Sequence, residues 1–232
     1  MVTMKTIGIL GGMSAASTQI YYRELCRLTA ERLGGLHSPE LLIRSVDFAD
    51  IEALQAAGAW DRAGERLNEE AKALERGGAD VLVLATNTMH KVAARMMDGV
   101  GIPLLHIADA TASRIVAAGF RSPGLMATAF TMEQTFYTDR LAAAGLEVIL
   151  PGADDRAETH RIIYDELCRQ IVSDTSREAY VGIARRLVDR GADCLILGCT
   201  EVGMLLDQGN VSVPVFDTTL VHCEAAIALA LS

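Results

Sequence analysis

The amino-acid sequence predicts an α/β protein built from two pseudosymmetric halves, each a parallel sheet flanked by helices. Three observations support this. Short runs of aliphatic residues alternate along the chain with longer segments of helical period. The runs are apolar at consecutive positions, as expected of strands covered by helices on both faces. Finally, an internal repeat is visible: Gly78-Ala79-Asp80-Val81-Leu82-Val83-Leu84-Ala85-Thr86-Asn87-Thr88 aligns with Gly191-Ala192-Asp193-Cys194-Leu195-Ile196-Leu197-Gly198-Cys199-Thr200-Glu201 at a constant offset of 113 residues. Gly-Ala-Asp is also a common helix-to-strand turn, so it is the length of the match that argues for duplication.

Strands are expected at residues 6–10, 41–46, 81–84, 104–107, 125–127, 148–150, 194–197 and 213–216. The first runs into the glycine-rich turn Gly11-Gly12-Met13-Ser14. The third ends on Thr86-Asn87-Thr88 and the fifth on Thr128-Ala129-Phe130-Thr131. The seventh ends on Cys199-Thr200-Glu201. Each copy of the repeat is followed by an X-Pro strand start and an aspartate, Ile102-Pro103 with Asp109 and Val213-Pro214 with Asp217. Ligands of open α/β sheets bind beyond the carboxyl ends of the strands, so two facing halves would set Thr86 and Cys199 on opposite sides of a shared cleft.

Composition excludes other classes. The chain has 232 residues and a net charge of −9, and its half share of hydrophobic residues rules out disorder. Its only lysines are Lys5, Lys72 and Lys91, too few for the clustered cations that nucleic acid requires. No apolar run approaches the roughly 20 residues of a membrane span, and the N-terminus leads straight into a strand-like segment. A cytoplasmic protein is expected. The five cysteines, Cys26, Cys168, Cys194, Cys199 and Cys223, lack CxxC or Cys/His ligand spacing, so they read as thiols and no metal site is expected.

Four strand-to-helix turns carry polar or glycine-rich residues: Gly12, Met13 and Ser14; Asn87 and Thr88; Thr128 and Thr131; Thr200 and Glu201. Helix N-termini offer unpaired N–H groups and a positive dipole end, which suits a carboxylate. Taken singly, Ser14, Thr88, Thr131 and Thr200 read equally as N-caps. No GxGxxG or GxxxxGK[ST] motif is present, which leaves a nucleotide-binding reading without a motif. Cys199, at a strand end before a helix start, is expected on an exposed turn with its thiol pKa depressed below about 8.5, as the candidate base or nucleophile. Cys194 reads as core and Cys26 and Cys223 as buried helix residues. His90 reads as an orienting residue or a catalytic acid. No GxSxG turn supports hydrolase chemistry, and no lysine is well placed for a Schiff base with pyridoxal phosphate.

Ile7-Gly8-Ile9-Leu10-Gly11-Gly12-Met13, Ala85-Thr86-Asn87-Thr88-Met89-His90 and Leu197-Gly198-Cys199-Thr200-Glu201 resemble the signatures of the aspartate/glutamate racemase family, in order and across the whole chain. Ser45-Val46-Asp47-Phe48 and Phe130-Thr131-Met132-Glu133 are similar to its intermediate landmarks. The resemblance implies a cofactor-independent amino-acid racemase, usually a homodimer, with one catalytic residue from each half. It also implies a C-terminal helix that returns to the first domain, giving domains of residues 1–107 plus 217–232 and 108–216. Where the family usually has cysteine this chain has Thr86, so it resembles a Thr/Cys subgroup acting on acidic amino acids. A position often occupied by lysine falls on Cys168, which leaves Gln55 as a polar substitute for holding the distal carboxylate.

The expected activity is therefore racemisation of glutamate or aspartate, with Cys199 serving the L enantiomer and Thr86, directly or through a water, the other face. The alternatives are a single-thiol decarboxylase of malonate-type acids and a non-catalytic amino-acid sensor.

Overall fold

A computed structural model describes residues 4–232. The chain divides into two compact units, residues 1–107 with 222–232 and residues 108–221. The second crossing, between Val221 and His222, falls inside the last helix.

The first unit holds a four-stranded parallel sheet of order β2-β1-β3-β4, formed by β1 (Ile7–Gly11), β2 (Leu41–Ser45), β3 (Val81–Leu84) and β4 (Leu104–Leu105). Side chains alternate across a strand, and the sequence uses both faces. Ile7, Ile9, Val81 and Val83 pack under α1 (Ala15–Leu33) and α10 (Thr218–Ala230), through Tyr21, Leu25, Cys223 and Ile227. Leu10, Leu82 and Leu84 point the other way, against Leu67, Ala71 and Leu74 of α3 (Trp60–Arg76) and Ile51 of α2 (Phe48–Ala56). Consecutive apolar residues in these strands thus answer to two separate cores.

The second unit repeats this plan with β5 (Pro123–Met126), β6 (Cys194–Leu197) and β7 (Val215–Asp217), again parallel and in that order. Met126, Leu195 and Leu197 pack against Ile162 and Ile163 of α8 (Ala153–Asp165) and Tyr180, Ile183 and Leu187 of α9 (Asp174–Asp189). The remaining helices are α4 (Ala93–Met96), α5 (Ile107–Ala117), α6 (Ala129–Glu133) and α7 (Thr135–Ala143). Among the described residues no helix is long and apolar enough to cross a membrane.

The repeated Gly-Ala-Asp turn does the same work twice. Gly78 and Gly191 take φ of +98° and +99°, a left-handed conformation that glycine adopts without steric cost. Asp80 then accepts the Thr6 N–H at 2.7 Å, while Asp193 accepts those of Arg121 and Ser122 at 2.7 and 3.0 Å. In each unit the aspartate therefore fixes the register of the strand carrying the repeat against the opening strand beside it.

Three expected strands are corrected. Residues 148–150 reduce to a single bridge, Ile149 against Gly124, because Pro151 lacks the N–H needed to continue a ladder and the chain turns into α8. Ile149 nevertheless occupies the edge place beside β5 that β2 holds beside β1. Residues 104–107 pair only at Leu104 and Leu105, since α5 begins at Ile107. The strand expected at 213–216 begins after Pro214 and runs to Asp217, whose carboxylate accepts the N–H groups of Thr219 and Leu220 at the start of α10.

His222 is fully buried beneath this architecture. Its Nε2–H donates to the Leu105 carbonyl and its Nδ1 accepts the Tyr21 hydroxyl, both at 2.8 Å. Burial pushes its pKa down to about 4, against the partly compensating pull of the Leu105 carbonyl. The unfolded chain, with a histidine pKa of about 6.5, binds a proton that the folded chain refuses between pH 6.5 and 4, so stability falls as pH drops through that window. Urea unfolding should show a loss of about 2 kcal/mol between pH 7 and pH 5 that His222→Gln removes. An identical pH dependence in parent and variant would contradict this assignment.

Candidate active site

Thr86 and Cys199 stand at equivalent positions, each two residues beyond the last residue of its strand, β3 or β6.

In the first unit Thr86 is half-buried and its N–H donates to the Leu84 carbonyl at 2.9 Å. Ser17 of α1 donates its hydroxyl to the Ala85 carbonyl at 3.0 Å. Asn87 and Thr88 are buried, and a 3-10 turn, Thr88–Val92, begins there. At the first strand-to-helix turn, Gly12 has φ of +93° and a Cβ would collide with the Val46 backbone, so only glycine fits. Its N–H donates to Thr18 Oγ1 at 2.8 Å. Met13 is buried in the core on the α3 side, and Ser14 caps α1 by accepting the Ser17 N–H at 3.2 Å. Gln55 is buried and its amide donates to Met89 Sδ at 2.9 Å. Lys91 is half-buried with Nζ 3.6 Å over the Trp60 ring, and burial lowers its pKa.

In the second unit Thr128 caps α6 by accepting the Thr131 N–H at 3.3 Å, and both threonines are buried. The neighbouring Ala129 N–H donates to His160 Nδ1 at 3.2 Å. Cys199 is half-buried and donates its S–H to Glu201 Oε2 at 3.0 Å, and the Thr200 hydroxyl donates to the same oxygen. Thr200 and Glu201 are buried in a second 3-10 turn, Thr200–Met204. Cys168, also half-buried, lies close enough to Glu201 that burial and this carboxylate push its thiol up to about 12.

This geometry corrects several expectations. Two of the four supposed helix starts, after β3 and β6, are five-residue 3-10 turns, and a third, α6, has five residues. Their dipoles are too short for the anion sites expected of helix N-termini, leaving the 19-residue α1 as the one long helix among them. The cap of α6 is Thr128 rather than Thr131, while the cap positions of the two 3-10 turns are Asn87 and Cys199, neither with a side-chain cap bond. Cys26 is half-buried rather than buried. Cys199 is neither on an exposed turn nor poised as a thiolate: burial, then the Glu201 carboxylate, raise its pKa well above the ordinary thiol value.

Burial is the larger cause, and the second is an i, i+2 contact with Glu201, a residue that sequence reading assigned to substrate. Glu201 sits where it can take the Cys199 proton. His160 carried no sequence signal, because it reaches Ala129 from a helix far along the chain.

A test of the thiol's state is the pH dependence of iodoacetamide alkylation at Cys199. Its midpoint should lie above the ordinary thiol value of about 8.5 and move down in Glu201→Gln, since removing a negative neighbour favours thiolate. A midpoint below about 7 in the parent would contradict the described contact.

The Asp/Glu/hydantoin racemase family model matches residues 10–226. A candidate Asp/Glu racemase from Yersinia pestis has a solved structure with 48% identity and a TM-score of 0.92, covering 99% of this chain and 100% of that one. An aspartate racemase homologue from Pyrococcus horikoshii gives 36% identity and a TM-score of 0.86, over 99% and 100%. A broad-specificity amino-acid racemase of Bacillus subtilis is 21% identical over 97% of this chain and 98% of its own. With a family match over nearly its whole length and relatives of 48% and 36% identity matched over 99% of the chain, this chain belongs to the Asp/Glu/hydantoin racemase family and is an isomerase of the amino-acid racemase type.

Proposed function

We propose that the chain interconverts the enantiomers of a free α-amino acid without a cofactor, Cys199 and Thr86 moving the α-proton on opposite faces of the substrate. The observation that carries this reading is the Cys199–Glu201 contact. Transfer of the thiol proton to Glu201 Oε2 generates a thiolate beside a carboxylic acid, and the thiolate removes the Cα hydrogen on its face. A substrate ammonium brought near the sulfur lowers the cost of that thiolate, because an opposite charge favours the ionised form. Thr86, a far weaker acid, returns a proton to the other face directly or through a held water. The carbanion between these steps needs fixed donors at the substrate carboxylate, for which the backbone around Asn87, Thr88 and Thr200 is proposed.

Glutamate and aspartate are the first substrates in this reading, which the names of the Yersinia and Pyrococcus relatives support. One observation favours a second reading, of uncharged side chains. The neighbouring groups that raise the Cys199 thiol, Glu201 and then Cys168, are both acids. Gln55 meanwhile spends an amide hydrogen on Met89. Loss of circular dichroism should be followed for L-Glu, L-Asp, L-Gln and L-Asn with parent and Cys199→Ala. The signal should decay with the parent and persist with the variant. Decay in none of them, or unchanged decay with Cys199→Ala, would overturn the reading. Glutamine at least about tenfold faster than glutamate in kcat/KM would select the uncharged class.

A further inference from the structure

We propose that His90 is the positioning residue for Thr86: its imidazole clamps the peptide plane that follows Thr86 and so aims the hydroxyl at the substrate. This rests on the reading of Thr86 as one of the two proton-transferring groups.

The ring is buried, and both of its nitrogens have partners. Nε2 lies 3.3 Å from the Ile107 amide, a group that only donates, so Nε2 must carry the lone pair. The proton therefore resides on Nδ1, which donates to the Thr86 carbonyl at 2.7 Å. The neutral Nδ1–H tautomer follows from the partners alone, since a protonated ring would set a second N–H against that of Ile107. His106 packs on the ring with centroids 4.3 Å apart, and His222 meets it at 6.1 Å and 62°.

The consequence lies in the backbone. A peptide unit is planar, so holding one carbonyl holds the whole unit. Ser17 holds the Ala85 carbonyl, which fixes the plane before Thr86. His90 holds the Thr86 carbonyl, which fixes the plane after it. With both planes fixed, φ and ψ of Thr86 are fixed, and so is the direction of its Cα–Cβ bond. The same imidazole satisfies the first amide of α5, one of the donors that a helix start leaves without an intrahelical partner.

The repeat sharpens the point. The counterpart of His90 at the 113-residue offset is Gly203, which has no side chain to offer. In that unit the Cys199 carbonyl accepts the Val202 N–H at 3.1 Å instead, and the polar contact goes to the sulfur, from Glu201. The thiol is given a proton acceptor. The hydroxyl, too weak an acid to be activated that way, is carried on a Cα–Cβ bond of fixed direction.

Three variants separate positioning from simple stability. His90→Asn places an amide nitrogen where Nδ1 stood and keeps the donor to Thr86. His90→Gln reaches toward the Nε2 position and keeps an acceptor for Ile107, without the Thr86 contact. His90→Ala keeps neither. In deuterated buffer, the ratio of α-hydrogen exchange to inversion is measured for the enantiomer whose hydrogen faces Cys199, on protein whose thermal unfolding confirms a folded state. His90→Ala and His90→Gln should raise that ratio about tenfold or more, because Cys199 still exchanges the hydrogen while the opposite face fails to deliver. His90→Asn should return it to near the parent value, with KM little changed in all three. If the ratio stays at the parent value in His90→Ala, or Asn rescues no better than Gln, His90 does not position Thr86. A parent enzyme that neither exchanges nor inverts any amino acid would instead overturn the racemase reading itself.

Discussion

The structure depends on one short joint used twice, the Gly-Ala-Asp turn that feeds β3 and β6. The glycine allows the left-handed turn out of the preceding helix, and the small alanine, buried at both copies, lets that helix sit close to the sheet. At Gly8 of β1 a Cβ would lie 2.8 Å from that of Ala79, and at Gly124 of β5 a Cβ would lie 3.2 Å from that of Ala192. The absence of a side chain at both positions is thus the other half of the joint. The aspartate then locks register to the neighbouring strand. A slip by one residue would turn each strand over, exchange its two cores, and carry the strand-end residue to the wrong face. Thr86 and Cys199 are equivalent because their strands are held by equivalent bonds.

From that common frame the two ends diverge in chemistry. Cys199 is an intrinsically competent acid whose environment works against ionisation, through burial and a carboxylate two residues on. The proposed mechanism accordingly starts from a thiol that loses its proton to Glu201 when substrate charge compensates, not from a thiolate standing ready in the free enzyme. Thr86 has no acid–base partner of that kind in its own turn, and its neighbours restrict its backbone. The duplicated strand ends thus support the proposed division of labour, one face tuned by charge and the other by direction.

Most of the architecture could be read from residues 78–88 and 191–201, because a repeat with both-face apolar strands has few alternatives to two parallel sheets. Candidate residues at strand ends followed from the same pattern. What escaped was set by contacts rather than by pattern. A turn of Thr-Asn-Thr or Cys-Thr-Glu reads as a helix start, but whether it continues as α or 3-10 depends on what packs behind it. The thiol's state is not legible in the turn's backbone dipole because it is set first by burial and then by the Glu201 side chain, which folds back on Cys199. Residues 148–150 look like a strand in hydropathy, yet Pro151 and the turn into α8 leave room for only one bridge. His90 is legible as a polar residue near the strand end, but its tautomer is set by Thr86 and Ile107, which lie 4 and 17 residues from it and meet on one ring.

The account rests on two groups handling one proton site from opposite faces, and isotope content at early conversion addresses that directly. Either enantiomer of a turned-over amino acid is incubated with the parent enzyme in deuterated buffer and stopped within the first few per cent of inversion, or roughly so. Separate acids on the two faces predict a product carrying solvent deuterium at Cα while recovered substrate still holds protium. A product that retains the substrate's own protium would mean that a single group removes and returns the proton, and would contradict the paired roles of Thr86 and Cys199.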